Sequence, residues 1–273
     1  MKFIKMHGLG NDFIILDLRY AGDLPAKDKI AALTNRKTGI GCDQFIAIMR
    51  AKTNKADCFM RIFNAPDASE VEACGNATRC VADILMKDKG VDEVVIETVA
   101  GYLNCTREED GRITVDMGVP RLDWRDIPLA KECDTLNVQM AENSLPDGVA
   151  VNIGNPHIVF FLDENVEEYP VCEIGPIIET HALFPKKTNV EFCNIIDRST
   201  IRMRVWERDA GETDACGSGA CAVAVAAIRR GLAERKCRVI LNGGTLDFYW
   251  REEDDHILMT GPATYVYKGE LPL

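Results

Sequence analysis

Glu72-Ala73-Cys74-Gly75-Asn76 and Asp214-Ala215-Cys216-Gly217-Ser218 are one short phrase written twice, 142 residues apart. Three further echoes keep the same order. Gly10-Asn11-Asp12-Phe13 and the apolar run to Asp17 return as Gly154-Asn155-Pro156-His157 and the run to Asp163, at an offset of 144. Arg61-Ile62-Phe63-Asn64 returns as Arg204-Val205-Trp206-Glu207 at 143, and Arg107-Glu108-Glu109-Asp110 as Arg251-Glu252-Glu253-Asp254 at 144. Similar punctuation in two unrelated halves would not keep both order and offset. The chain therefore reads as two copies of one αβ unit, joined near Met117-Gly118-Val119-Pro120 without a Gly/Ser linker.

Each copy has legible elements. Residues 2–17, 94–98, 112–116, 149–153, 158–162, 201–206 and 239–241 are β-branched or aromatic runs bounded by Gly, Asn, Asp or Pro, and they predict strands. After Cys74, the apolar residues Ala77, Cys80, Val81, Ile84 and Leu85 recur at helical spacing, which predicts a helix with one buried face. Lys87, Lys89 and Gly90 close it. After Cys216, residues 217–230 are apolar on every side, the pattern of a core helix, closed by Arg229-Arg230-Gly231.

Composition limits what the protein can act on. The chain has 273 residues, 47% hydrophobic and 27% charged, with a net charge of −11 and no basic block. Nucleic acid and anionic membrane surfaces are therefore poor partners, and a small molecule is the better one. No apolar run is long enough to span a bilayer. The opening Met1-Lys2-Phe3-Ile4-Lys5 carries neither an apolar signal core nor an Arg/Ser-rich leader, so a cytoplasmic protein is expected.

Eleven cysteines is an odd number in a long chain, which favours reduced thiols over a disulfide framework. There is no Cys-x2-Cys pair and there are only four histidines, so no metal is expected. Eight cysteines (Cys58, Cys80, Cys105, Cys133, Cys172, Cys193, Cys221 and Cys237) read as small buried hydrophobes. Cys42 lines a Gly-rich loop with no clear role.

Cys74 and Cys216 differ from the others because each sits where a central helix begins. Unpaired N–H groups there carry about half a positive charge, favour thiolate over thiol and accept a carboxylate. The adjoining Gly75 and Gly217 admit a ligand close to the backbone. Paired about a pseudo-twofold axis, the two thiols would stand on either side of an amino acid's α-carbon. One would remove the proton and the other would return one to the opposite face. That is a two-base racemase or epimerase with no pyridoxal cofactor.

These residues resemble the diaminopimelate epimerase family over essentially the whole chain. The motifs are His7-Gly8-Leu9-Gly10-Asn11-Asp12-Phe13, Gly41-Cys42-Asp43-Gln44, Phe63-Asn64-Ala65-Pro66-Asp67, Cys74-Gly75-Asn76-Ala77-Thr78-Arg79-Cys80, Gly154-Asn155-Pro156-His157, Thr188-Asn189-Val190, Trp206-Glu207-Arg208 and Gly211 to Gly219. The resemblance implies an α+β fold of two pseudo-symmetric αβ domains, each a mixed, mainly antiparallel, barrel-like sheet around a central helix, with the active site in the cleft between them. Its expected boundaries are 1–117 plus 262–273, and 118–261.

The resemblance further implies conversion of LL-diaminopimelate to the meso form, for lysine and peptidoglycan synthesis, with Cys74 and Cys216 as the acid/base pair and no cofactor. Amides of Gly75, Asn76, Gly217 and Ser218 would hold the reacting carboxylate, and Glu207 the ammonium beside it. Asn64, Asn155, Asn189 and Arg208 would read the distant end, Asn11 and Gln44 would line the cleft, and His157 and Glu207 would tune the thiols. A homodimer through Tyr267 is implied as well. Ala68, Ala77 and Asp209 depart from the usual family pattern without removing a proposed catalytic group.

Three other readings compete. A racemase for glutamate or histidine would share the scaffold, although Arg208 and the three asparagines favour a longer substrate. A thiol redox or metal protein would need a stable cysteine pair or a metal-ligand spacing. A protein that only captures an amino acid would need one cysteine, not two.

Overall fold

The computed structural model describes residues 2–72, 74–140 and 145–271. Ala73 of the repeated phrase, and Met1 and residues 272–273 of the expected first domain, lie outside them. The chain divides into two compact units, Met1–Asp116 with Thr260–Leu273, and Met117–Met259.

The first unit contains β1 (Lys2–Gly8), β2 (Asn11–Asp17), α1 (Lys27–Thr34), β3 (Gln44–Met49), β4 (Cys58–Asn64), β5 (Glu70–Val71), α2 (Gly75–Lys89), β6 (Glu93–Glu97), β7 (Tyr102–Arg107) and β8 (Ile113–Asp116). The second contains β9 (Val149–Asn152), β10 (Pro156–Phe161), α3 (Val171–Glu179), β11 (Asn189–Asp197), β12 (Thr200–Glu207), β13 (Gly211–Thr213), α4 (Gly217–Arg229), β14 (Lys236–Leu241) and β15 (Gly244–Trp250). Next, β16 (Ile257–Gly261) carries the chain back, and β17 (Thr264–Glu270) pairs antiparallel with β1.

Strand pairing repeats between the units. β2 runs parallel to β3, as β10 does to β11. β3 is antiparallel to β4, and β11 to β12. β4 takes β5 antiparallel and β6 parallel, as β12 takes β13 and β14. Each unit is a mixed sheet, and two parallel pairings recur at matching places in both. Backbone register thus repeats the duplication read from the four sequence echoes.

Each sheet packs against its central helix. In the second unit α4 touches β9 to β12, β14 and β15. Small side chains allow that approach, and Ala220 to Ala227 are all fully buried. Val223 and Val225 each contribute about 1.5–3 kcal/mol by burial, and a charge at either position would open the core. In the first unit α2 packs on β1, β6, β7 and β8. It ends as expected: Gly90 is left-handed at φ 68° and donates its N–H to the Met86 carbonyl. The other sheet faces hold separate cores, Phe3, Ile14, Phe45 and Phe63 with α1 in one unit, and Phe160, Phe192, Ile158 and Ile178 with α3 in the other.

The structure corrects three expectations. Residues 2–17 form a hairpin, not one strand. Leu9 and Gly10 turn the chain with φ of 57° and 88°, and a leucine in that region hides the turn from a sequence reading. α2 is buried on nearly all sides, because its polar residues have partners: Arg79 donates to Asn76 and to the Pro262 carbonyl, and Asp83 pairs with Lys87 and Arg107. Finally, Cys133 is only half-buried and Cys172 is exposed, its thiol donating to Glu212 at 3.1 Å. Cys42 proves to be a core residue whose thiol burial pushes up to about 12.

Among the described residues no helix is long and apolar enough to cross a membrane. Among the same described residues no group of three or more His, Cys, Asp and Glu is placed to hold a metal ion.

Candidate active site

Register makes the candidate residues equivalent in pairs. Gln44 faces Asn64 across β3 and β4, and the register of β11 with β12 brings Asn189 opposite Glu207 in the same way. Asn11 begins β2 as Asn155 precedes β10, and Cys74 and Cys216 are the N-caps of α2 and α4.

In the first unit Cys74 is half-buried and extended (φ −150°, ψ 109°), with Gly75 and Asn76 opening the helix. Its Sγ lies 3.8 Å from Asn11 Oδ1, which also accepts from Asn76 Nδ2 at 3.4 Å. Arg79, fully buried, donates to Asn76 Oδ1 at 2.9 Å. Strand β1 can pass this turn because Gly8 has no side chain: a Cβ there would meet Arg79 Nη2 at 3.0 Å. Asn11 Nδ2 donates to Asp43 at 3.1 Å, and next along the chain Gln44 donates to Asn64 Oδ1 at 2.9 Å. Gln44 Oε1 is buried and has no hydrogen-bond partner among the described residues, so it has an acceptor to offer.

Below these amides an ionic lock holds the hairpin. Asp12 accepts from Lys5 and from Arg36, which also reaches Asp43. Burial would raise the Asp12 carboxyl, but hydrogen bonds from Arg36 and Lys5 outweigh it and hold it down at about 2.

The second unit puts a carboxylate, Glu207, where the first has the Asn64 amide. Cys216 is 4% exposed. Its Sγ accepts the Gly219 N–H at 3.3 Å and lies 3.6 Å from Ser218 Oγ. The helix N-terminus therefore does donate to the sulfur. The expected low thiol pKa nevertheless fails here: burial first, then the carboxylates Glu207 and Glu191, push it well above the ordinary value. Glu207 accepts from Thr213.

His157 is fully buried, with Nδ1 2.7 Å from Glu191 Oε1 and Nε2 2.8 Å from Asn155 Oδ1. Both ring nitrogens are thus engaged inside this unit. Asn189 is also committed, its Nδ2 to the Pro156 carbonyl at 2.9 Å and its Oδ1 to the Arg208 N–H at 2.9 Å. It orients the chain at Arg208, whose guanidinium reaches the Lys186 carbonyl at 3.3 Å. Tyr267 lies apart from these groups on β17, 42% exposed and edge-on to Phe3.

Arg79 and Glu191 were passed over in the sequence. Glu191 is a single charge between Val190 and Phe192, and that was the available signal.

Residues 3–122 and 149–266 match the family model described as diaminopimelate epimerase. A diaminopimelate epimerase of Phenylobacterium zucineum is 50% identical over 275 residues, covering 99% of this chain and 97% of its own. One from Rhodospirillum centenum is 49% identical over 271 residues, covering 99% and 92%. Among solved structures, a hydroxyproline epimerase from Agrobacterium vitis superposes with a TM-score of 0.71 at 14% identity, covering 98% of this chain and 91% of its own. A PhzF-family phenazine biosynthesis protein of Bacillus anthracis superposes at 0.69 with 17% identity, covering 100% and 99%. At those identities the solved structures speak for the fold alone.

Proposed function

The chain belongs to the diaminopimelate epimerase family, and from that premise we propose that it inverts one α-carbon of LL-2,6-diaminopimelate to give the meso form by two-thiol acid/base chemistry without a cofactor. The observation that carries this reading is the repeated N-cap cysteine, one on the central helix of each unit. The product would serve lysine and peptidoglycan synthesis in the cytoplasm.

The two thiols differ in their surroundings, and that difference supports the following reading of their resting roles. Cys216, beside Glu207 and Glu191, keeps its proton and is the acid for the LL substrate. Cys74, whose Sγ lies 3.8 Å from Asn11 Oδ1, is then the base by complement. The Cys74 thiolate takes the α-proton, and the electron pair spreads into the adjoining carboxylate. Cys216 Sγ then gives its proton to the opposite face. Afterwards Cys74 is a thiol and Cys216 a thiolate, the reverse pair needed for the meso form.

Main-chain N–H groups of Gly75, Asn76, Gly217 and Ser218 hold the charged carboxylate at the two helix starts. Glu207 takes the neighbouring ammonium. Asn64, Asn155 and Arg208 read the distant amino-acid end, with Asn189 fixing Arg208, while Asn11 and Gln44 line the site. A homodimer through Tyr267 completes the reading.

The test is a panel of LL-diaminopimelate, glutamate, histidine and aspartate, each incubated with the protein without pyridoxal phosphate and resolved by chiral chromatography. Only LL-diaminopimelate is expected to be interconverted. Faster inversion of glutamate or histidine would replace the substrate assignment with a racemase of that amino acid.

A further inference from the structure

A buried ionic pair in the second unit occupies a place that the first unit fills with hydrocarbon. Phe13 faces Gln44 across β2 and β3, and His157 faces Asn189 across β10 and β11. Two residues on, Ile15 faces Ile46 and Val159 faces Glu191. His157 and Glu191 thus stand where the other unit has Phe13 and Ile46, and all four are fully buried. The Phe/Ile version satisfies the same sheet, so the fold does not require a carboxylate there. Burying charged groups is costly, and apolar replacement is often neutral or stabilising, so the pair is retained for something other than stability.

Its position shows what that is. Glu191 Oε1 accepts from or shares a proton with His157 Nδ1 at 2.7 Å. The same oxygen presses on the first turn of α4: a Cβ at Gly219 would meet it at 2.8 Å and Cys216 Sγ at 3.2 Å. The carboxyl oxygen and the sulfur therefore border one small space, which only glycine leaves open. In the first unit, where no carboxylate presses, the matching residue is Ala77. Glu191 Oε2 is buried and finds no hydrogen-bond partner among the described residues; burial raises this carboxyl, and the His157 ring at Oε1 is what favours its ionised form.

We propose that Glu191 is a positioning residue of the active centre, fixing the His157 ring through Nδ1 and, by its charge beneath the first turn of α4, keeping the proton on Cys216. The groups facing Glu191 are His157 from β10, Glu207 from β12 and Cys216 from α4, with Cys193 on its own strand. Glu207 is the second carboxylate acting on the same sulfur. The proposal rests on the two-thiol reading for what that proton is used for, and on geometry alone for the coupling.

Glu191→Gln keeps the shape and removes the charge. Alkylation of Cys216 by iodoacetamide is followed against pH by peptide mass mapping, alongside the pH profile of kcat/KM for LL-diaminopimelate. The expected result is a Cys216 midpoint at least about one pH unit lower, giving about tenfold faster alkylation at a fixed pH below it. The basic limb of kcat/KM moves down with it, while KM changes little. An unmoved midpoint in folded Glu191→Gln protein overturns the proposal. Unmodified protein provides a second check, by NMR of labelled histidine: His157 Nδ1 is expected to carry a proton at neutral pH, and a bare Nδ1 overturns the proposal.

Alkylation reads Cys216 whatever the substrate. A shifted midpoint without turnover of LL-diaminopimelate would sink the substrate assignment and leave Glu191 its role. Turnover with an unmoved midpoint would do the reverse.

Discussion

At Cys216 the first-turn N–H of Gly219 pulls toward thiolate while burial and two carboxylates pull toward thiol, and the second set wins. A helix start is therefore a poor predictor of thiol pKa when the site is dry and acidic. The sign of the pH dependence follows. A raised Cys216 pKa keeps the acid protonated through neutral pH, and activity falls as pH rises past it. Glu207→Gln removes one of the two charges, so the basic limb of the kcat profile is expected at lower pH, and on the proposed binding role KM should rise because the ammonium would lose its partner. A pH profile of the variant superimposable on the parent would exclude Glu207 from tuning the thiol. Cys74, Cys216 and Glu207 could be singled out in the sequence, since repeated phrases mark them. Glu191 was harder to see, because its significance depends on the parallel register of β10 with β11 and on the width of Gly219, neither of which leaves a local pattern.

The hairpin of β1 and β2 is the element that presents Asn11, and its ionic lock determines its stability against acid. The Asp12 carboxyl sits at about 2, below its ordinary value of 3.8, because the hydrogen bonds of Arg36 and Lys5 outweigh burial. A depressed carboxyl stabilises the folded state above its unfolded pKa and loses that contribution as pH falls through the folded one. Asp12→Asn should therefore cost about 1–2 kcal/mol at neutral pH, by urea denaturation, and the difference should close between about pH 4 and 2. A constant difference across that range would mean that the loss is packing rather than charge. The central helices were legible from their spacing and caps. The Leu9-Gly10 turn was not, since leucine rarely takes a positive φ. Strands such as β3 were also missed, because a continuous apolar run has no period that separates strand from helix.

For the molecule as a whole, the duplication was readable because insertions are few and the offsets stay between 142 and 144. What the sequence could not reveal is how unlike the two copies became at equivalent positions: Phe13, Ile46 and Asn64 in one, and His157, Glu191 and Glu207 in the other. Identical halves would give two equal thiols, whereas inversion from a defined resting state needs one base and one acid. Association is a further matter at this scale. Tyr265, Val266 and Tyr267 are each more than 40% exposed in a row on β17, an apolar strip that water does not favour. Tyr267→Glu is expected to shift sedimentation at micromolar protein from dimer to monomer, and unchanged sedimentation would move the interface elsewhere.

The central claim is that two thiols serve one carbon from opposite faces, and isotope tracing in D2O tests it most directly. Protiated LL-diaminopimelate is incubated with the unmodified protein and quenched at low conversion. The meso product should carry deuterium at the inverted carbon while the recovered LL substrate keeps its hydrogen, because one sulfur accepts the proton and the other, already exchanged with solvent, supplies the deuteron. Deuterium appearing equally in recovered substrate and product would mean a single base working both faces, and would contradict the account.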